Sequence, residues 1–410
     1  MYRTVTKCRI CGGGNLRQFL NLGETALANS FLKSKDLEKE ELKFPLRVLF
    51  CEDCNFSQLG EVVSPEILFR DYVYFSSAMP SLPQHFKDYA SEVMDSFIAS
   101  NEELVVELGS NDGILLSEIK SCGPKVLGID PAINIAKVAN KNGITTLPEF
   151  FSFDLSEKIV KEYGHAKVII GNNVVAHIDD HHDLVKGVKN LLENNGVFIF
   201  EAPYLTDMFE NLTFDTIYHE HLSYLSVKPL MYLFGKYGME IIDVKTFPVQ
   251  GVSLRVYAAK KGARRVLASV KKFVKKEKEL KLDRFSTYLK LARTIADNKE
   301  RLLALLKDLK SKGSKIAGYG APAKGNTLLN YFGIGKNFLE YATEALPSKI
   351  GLFTPGTHVP VIDITEARKS PPDYFLLLAW NYKDAVLEKE ADLRAKGVKF
   401  IIPVGDPEII

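Results

Sequence analysis

Four of the five cysteines fall in two matched pairs, Cys8-x-x-Cys11 and Cys51-x-x-Cys54. Two-residue spacing lets one turn present both thiolates to a single ion, and two such knuckles complete a tetrahedral four-sulfur shell. A shell made only of protein ligands leaves no position for water or substrate. The expectation is therefore a structural zinc, with the chemistry elsewhere. Two disulfides or four unrelated thiols are the rival readings, but nothing in the chain suggests secretion, and reduced compartments favour metal over disulfide. Cys122 is left over and reads as a buried thiol.

A second group is Glu107-Leu108-Gly109-Ser110-Asn111-Asp112-Gly113, which ends the apolar run Leu104 to Leu108. Glycines at the end of a first strand let backbone approach a ligand closely, and cofactors of doubly wound sheets sit there. The G-x-G-x-x-G dinucleotide pattern is absent. Instead an acid precedes a Gly-x-x-x-Gly loop, and a second acid, Asp130, ends the next strand, Lys125 to Ile129. Asp130 is placed to accept from both hydroxyls of a ribose. That set fits S-adenosylmethionine better than a nicotinamide dinucleotide, because no pyrophosphate has to be cradled. An ordinary strand–turn–helix capped by Asp112 is the plain alternative.

Acid–base chemistry points to Tyr218-His219-Glu220-His221, followed by Tyr224. Histidine is the side chain suited to moving protons near neutral pH. In an extended loop His219 and His221 point one way and Glu220 the other. A metal site there lacks the helical H-E-x-x-H spacing; a polar surface loop is the bland alternative. His177 follows the strand Val168 to Ile170 at the same edge as Gly109 and Asp130, and is a second candidate. His181 and His182 are expected to start the next helix and face solvent. Farther on, the turn Gly318 to Asn326 with Lys324 suits a phosphate at a helix N-terminus, or is simply a tight turn with an exposed lysine.

The elements that must hold these groups are those of an α/β protein. With 410 residues, 46% of them hydrophobic, the chain is too long for one core. Lys plus Arg total 53 against 51 Asp plus Glu, so no basic excess suggests nucleic acid. No signal peptide and no membrane-spanning run is legible, which makes a cytoplasmic location the expectation. A zinc-binding module is expected over residues 1–68. Strands alternating with helices over 69–260 imply a parallel sheet covered on both faces. Over 261–410, a charged helical region (Lys260 to Lys312) leads into a smaller α/β domain.

The order of these motifs across the whole chain resembles the sugar C-methyltransferases that act on nucleotide-linked 4-keto deoxysugars. The resemblance includes both knuckles and the Glu107 to Gly113 loop. It extends to Asn172-Asn173-Val174-Val175-Ala176-His177-Ile178, Tyr218 to His221 with Tyr224, Gly318-Tyr319-Gly320-Ala321 with Lys324-Gly325-Asn326, and Thr354-Pro355-Gly356-Thr357-His358. It implies a zinc module, a central class I Rossmann-like methyltransferase domain and a C-terminal Rossmann-like α/β domain. By the same resemblance His221 is the general base, with Glu220, Tyr218 and His177 beside it and Tyr72 or Tyr74 closing the site. Glu107, Gly109, Ser110, Asn111, Gly113, Asp130, Asn172 and Asn173 bind S-adenosylmethionine. Tyr224, Arg255, Tyr319, Lys324, Asn326, His358 and Asn381 contact the nucleotide sugar. A monomer, methylation at C3 rather than C5 and a dTDP-linked substrate are the implied defaults. Glu344 with Leu346-Pro347 departs from the family's Asp and Asn-Pro. Methylation of oxygen or nitrogen on another small molecule, or a non-catalytic assembly role, are the competing readings.

Overall fold

The computed structural model describes residues 1–70, 75–78, 82–249 and 251–410. Tyr72 and Tyr74 lie outside them. The chain divides into two compact units, each discontinuous in sequence. The first is formed by Met1–Arg17, Leu49–Thr206 and Leu222–Phe285, the second by Gln18–Val48, Asp207–His221 and Ser286–Ile410. Residues 1–68 thus contribute to both.

In the first unit, helix α1 (Leu82–Phe97) precedes β1 (Leu104–Leu108), α2 (Ile114–Ser121), β2 (Lys125–Ile129), α3 (Ile133–Lys141) and β3 (Thr146–Leu147). Then follow α4 (Phe153–Tyr163), β4 (Ala166–Asn172), α5 (His181–Leu191), β5 (Leu192–Pro203), α6 (Val227–Lys236), β6 (Met239–Phe247), β7 (Ser253–Lys260) and α7 (Ala268–Glu279). The sheet order is β6-β7-β5-β4-β1-β2-β3. Strands β1 and β4 are near-continuous apolar runs because both faces are covered. On one face Val105, Val168, Ile170, Val197 and Ile199 pack against Phe86, Tyr89 and Val93 of α1. On the other, Val106, Ile169, Phe198 and Phe200 meet Leu184, Val188, Leu230 and Phe234 of α5 and α6.

The parallel sheet expected here is found over β5-β4-β1-β2-β3 and becomes antiparallel at one edge. β7 pairs antiparallel with both β5 and β6. Residues 248–252 are too few for the crossover that a parallel neighbour requires.

The second unit has its own sheet, built after the long helix α8 (Phe285–Ser311). Its elements are β8 (Ile316–Tyr319), α9 (Ala323–Phe332), β9 (Ala342–Glu344), β10 (Val361–Asp363), β11 (Tyr374–Leu377), β12 (Lys399–Ile402) and β13 (Glu408–Ile409). The order β10-β9-β8-β11-β12-β13 is parallel except for the final pair. In both sheets the strand order reverses beside the first strand, between β1 and β4 and between β8 and β11. Ligands of open α/β sheets bind at that switch point, beyond the carboxyl ends.

Candidate active site and metal centre

The two cysteine knuckles are near copies of one another. Cys8 N donates to Gly13 O and Cys51 N to Phe56 O, each at 2.8 Å. The residue four after each leading cysteine, Gly12 or Asn55, takes a left-handed conformation. The four Sγ atoms lie within 4.8 Å of one another. Cys8 Sγ is 3.5 Å from Cys54 Sγ, and Cys11 Sγ 3.6 Å from Cys51 Sγ. Four sulfurs around a zinc at about 2.3 Å stand roughly 3.8 Å apart, so the sulfurs are preassembled for that ion. Without a cation they cannot all ionise. Hydrogen bonding to Cys51 pushes the Cys8 thiol up to about 12 and Cys54 higher still. Backbone amides of Ile10 and Gly13 point at Cys8 and Cys11 sulfur, as thiolate ligands require. Among the described residues no other group of donors is placed to hold a metal. Cys122, expected to be buried, is exposed at the C-cap of α2, where its thiol faces the Glu118 carbonyl.

At the β1/β4 switch point the chain turns sharply. Gly109 has φ +65°, and a Cβ there would press on the Val174 side chain at 3.1 Å. Asp130, at the end of β2, is buried and already accepts Asn111 N at 2.8 Å and Ala132 N at 2.9 Å. Each carboxylate oxygen keeps one further acceptor direction, so a ribose diol still fits, but the acid first shapes the loop. Glu107 accepts Asn172 Nδ2 at 3.2 Å. Burial raises its carboxyl well above the ordinary range. Glu107 Oε2, Ser110 Oγ, Asp112 Oδ1 and Asn172 Oδ1 are buried with no hydrogen-bond partner among the described residues. Four such atoms at one strand edge are a costly arrangement for a chain that binds nothing. They match the hydroxyls and ammonium of S-adenosylmethionine.

His177 ends a single 3-10 turn after β4 and stacks on Phe69, with ring centroids 5.5 Å apart. His181 does begin α5, capped by the Asp180 carboxylate, which accepts from the amides of His182 and Asp183. It is buried, however, not solvent-facing. His181, Leu184, Val185, Val188 and Leu191 form one stripe at helical spacing, and Phe56 packs against the imidazole. Nearby, Arg9 of the first knuckle donates from Nε to Asp179 at 2.9 Å and from Nη1 to Leu59 O. The metal module is thereby tied to the segment that follows His177.

In the second unit Tyr218 to His221 is a turn, closed by His221 N to Tyr218 O at 2.9 Å, and not an extended loop. Alternation therefore does not apply, and the three ionisable side chains diverge. His219 Nε2 lies 3.3 Å from Pro45 O, with the ring edge-on to Phe44. Glu220 accepts Asn29 Nδ2 at 2.7 Å. His221 Nδ1 lies 2.7 Å from the Thr216 carbonyl and its ring packs 4.0 Å from that of Tyr218. A carbonyl only accepts, so Nδ1 carries the proton and Nε2 is the basic nitrogen. Asn29 and Thr216 were not legible as partners; Thr216 acts through its backbone, which leaves no side-chain signature.

Three family profiles match in succession. A putative zinc binding domain covers residues 8–69, a methyltransferase domain 82–244, and a C-methyltransferase C-terminal domain 248–405. Over 409 residues the chain is 36% identical to the C-methyltransferase NovU of Streptomyces niveus, spanning 100% of this chain and 97% of that one. The chain belongs to the C-methyltransferase family. The solved structures named here cover less than half of this chain. The plantazolicin methyltransferase BpumL in complex with SAH is 13% identical over 44% of this chain and 86% of its own (TM-score 0.36). The magnesium protoporphyrin IX methyltransferase ChlM of Synechocystis PCC 6803 is 12% identical over 44% and 80% (TM-score 0.34).

Several residues that the resemblance assigns to substrate are core groups in this C-methyltransferase. Arg255 is buried in β7, paired with Glu201 at 2.7 Å and Glu92 at 2.5 Å and stacked on Tyr89. It has no face to offer a sugar. Arg255→Met should lower stability by about 3–5 kcal/mol, because Glu201 loses its buried counter-charge. A melting temperature that falls while the cofactor still binds would confirm this; an unchanged melt with a raised KM would return Arg255 to the substrate. Tyr319 donates to Glu390 inside the second sheet's core, and Asn326 is fully buried, donating to Ala28 O. Tyr224 is buried in the strand pair with Ser57. His358 is tied to Glu41 at 2.9 Å.

Helix α9 begins at Ala323, four residues earlier than expected, so Lys324 lies in its first turn. Gly320, at φ +83°, follows β8 directly. Across the switch point, Asn381 follows β11 beside Trp380, the chain's sole tryptophan, whose Nε1 donates to buried Asp215 at 2.7 Å. The Asp215–Trp380 pair was not foreseen, although a unique tryptophan in a polar loop was a signal. Among the described residues no helix is long and apolar enough to cross a membrane.

Burial holds His177, His181 and His219 each down at about 4, against an ordinary 6.5. Between about pH 6.5 and 4 the unfolded chain therefore binds more protons than the fold. Stability should fall as pH drops through that window, by about 1.4 kcal/mol per unit for each histidine. Melting curves from pH 7 to 5 test this, and His181→Leu should flatten the slope. An equal slope would show that His181 does not titrate on unfolding.

Proposed function

We propose that this C-methyltransferase uses S-adenosylmethionine to methylate the carbon beside the ketone of a nucleotide-linked 4-keto deoxysugar, with C3 favoured, and that His221 is the base. The observation that carries the reading is the clamp on His221. Its Nδ1–H donates to Thr216 O, which leaves Nε2 as the proton acceptor. Carbon methylation needs such a group, because a C–H must be converted to a nucleophile first. A C–H beside a ketone is acidic enough for imidazole to remove when the resulting enolate oxygen meets a donor. When bound, S-adenosylmethionine supplies a methyl on a positive sulfur, the electrophile for that carbon.

The remaining residues serve binding and orientation. Glu220 is fixed by Asn29, and the Tyr218 ring holds the imidazole plane. The acceptors at the ends of β1 and β4 that have no partner among the described residues suit the cofactor. The left-handed turn at Gly320, the amides opening α9 and Lys324 suit a nucleoside diphosphate. Cys8, Cys11, Cys51 and Cys54 would hold a zinc with no position left for substrate, so proton transfer is assigned to His221 alone.

The test is solvent exchange without methyl transfer. In D2O, with S-adenosylhomocysteine in place of the methyl donor, the protein should wash deuterium into C3 of dTDP-4-keto-6-deoxyglucose. Exchange at C5 instead would place the base at the other carbon flanking the ketone and overturn the C3 assignment. No exchange at any carbon would sink the enolate reading and favour oxygen or nitrogen methylation.

A further inference from the structure

One face of the first unit's sheet carries a polar row along its carboxyl edge. Val105, Ile170, Ile199 and Tyr257 lie in the core under α1. Glu107, Asn172, Glu201 and Arg255, each two residues along the same strand, share that face. Glu201 and Arg255 are direct cross-strand partners. Helix α1 lays His85, Tyr89 and Glu92 over the row. The charges at the β5–β7 end are satisfied among themselves. Glu201 receives Arg255 and, from His85, a contact at 2.8 Å; Glu92 takes Arg255 Nη1 and the Tyr257 hydroxyl.

What is left over is specific. The Tyr89 hydroxyl, Glu107 Oε2 and Asn172 Oδ1 are buried with no hydrogen-bond partner among the described residues. Tyr89 is 1% exposed, and the Arg255 guanidinium carbon lies 3.4 Å from its ring centroid, which fixes the ring. Burial outweighs the Arg255 guanidinium and keeps its hydroxyl protonated, so it is a donor. One donor over the same sheet face as two acceptors, one of them a carboxyl that an arriving ammonium would ionise, is complementary to a zwitterionic amino acid. The topology gives the direction. Asp130 places a ribose at β2, on one side of the switch point. The far end of a ligand lying across that edge runs towards β4 and β5, the side on which Tyr89 stacks on Arg255.

We propose that Tyr89 on α1 binds the amino-acid end of S-adenosylmethionine, donating to its carboxylate while Glu107 and Asn172 accept from its ammonium. The proposal rests on the cofactor reading given above. It adds to the site a residue on α1, ahead of β1 and outside the glycine loop. Tyr89→Phe removes one oxygen and keeps the stack on Arg255. Since that oxygen has no partner among the described residues, the variant should melt at the wild-type temperature or above.

Calorimetry of wild type and Tyr89→Phe with two ligands decides the matter. S-adenosylhomocysteine has the amino-acid end; 5′-methylthioadenosine has the nucleoside and sulfur without it. The variant should bind S-adenosylhomocysteine about tenfold or more weakly, the loss expected for a hydrogen bond to a charged group. It should bind 5′-methylthioadenosine as wild type does. Unchanged affinity for both ligands, or equal weakening of both, overturns the role of Tyr89. Failure of wild type to bind either ligand overturns the cofactor reading itself, and this proposal with it.

Discussion

His221→Ala should fold, keep its zinc and bind S-adenosylhomocysteine, yet lose roughly a hundredfold to ten-thousandfold of turnover. The size follows from what is removed. The Thr216 carbonyl fixes the tautomer and the Tyr218 ring fixes the plane, so Nε2 is already set as the acceptor. A positioned base of this kind has no substitute in water, because the carbon acid beside a ketone is weak and must be met in a fixed geometry. The variant should also lose deuterium exchange at the acceptor carbon, a readout that a general loosening of the fold would not selectively abolish. Wild-type turnover in His221→Ala would remove it as the base. Loss of S-adenosylhomocysteine binding as well would mean that the side chain had been structural.

Removing zinc should have the other large effect, on folding. Structural zinc sites in small domains bind with apparent free energies of about 10–16 kcal/mol at pH 7, and that energy is folding energy. Here Cys8, Ile10, Cys51 and Phe56 belong to the same buried cluster as Leu184 and Val188 of α5. Arg9, lodged between the metal ligands, holds Asp179 and the Leu59 carbonyl. Loss of the ion therefore frees four crowded sulfurs and also the segment that leads into α5. Chelation at neutral pH, or Cys51→Ser, should lower the melting temperature steeply and release one zinc per chain, measured by a colorimetric chelator. A chain that melts unchanged after complete zinc removal would show that the knuckles fold by packing alone.

Much of this architecture was legible because the relevant physics is local. The limits of β1 and β2 follow from apolar runs closed by Glu107 to Gly113 and by Asp130, and the structure ends those strands there. The knuckles were legible because two-residue cysteine spacing has few other uses. What the chain did not disclose was set by partners distant in sequence. An isolated Arg255 reads as a substrate contact until Glu92 and Glu201 are seen on either side of it. His181 reads as a polar helix start, yet its place on the stripe with Leu184 and Val188 carries it inward. The divergence of His219, Glu220 and His221 depends on a turn closed by one backbone hydrogen bond, which no side-chain pattern announces. Asn29 reaches Glu220 across 191 positions.

The most direct test is to incubate the zinc-loaded protein with S-adenosylmethionine and dTDP-4-keto-6-deoxyglucose, alongside its GDP- and CDP-linked counterparts. Product mass is then measured, and the new methyl is located by proton–carbon correlation NMR. A gain of one methyl bonded to the carbon next to the ketone, C3 before C5, is the predicted result. A methyl found on oxygen, or no methyl on any of these sugars from protein that binds S-adenosylmethionine, would contradict the proposed function.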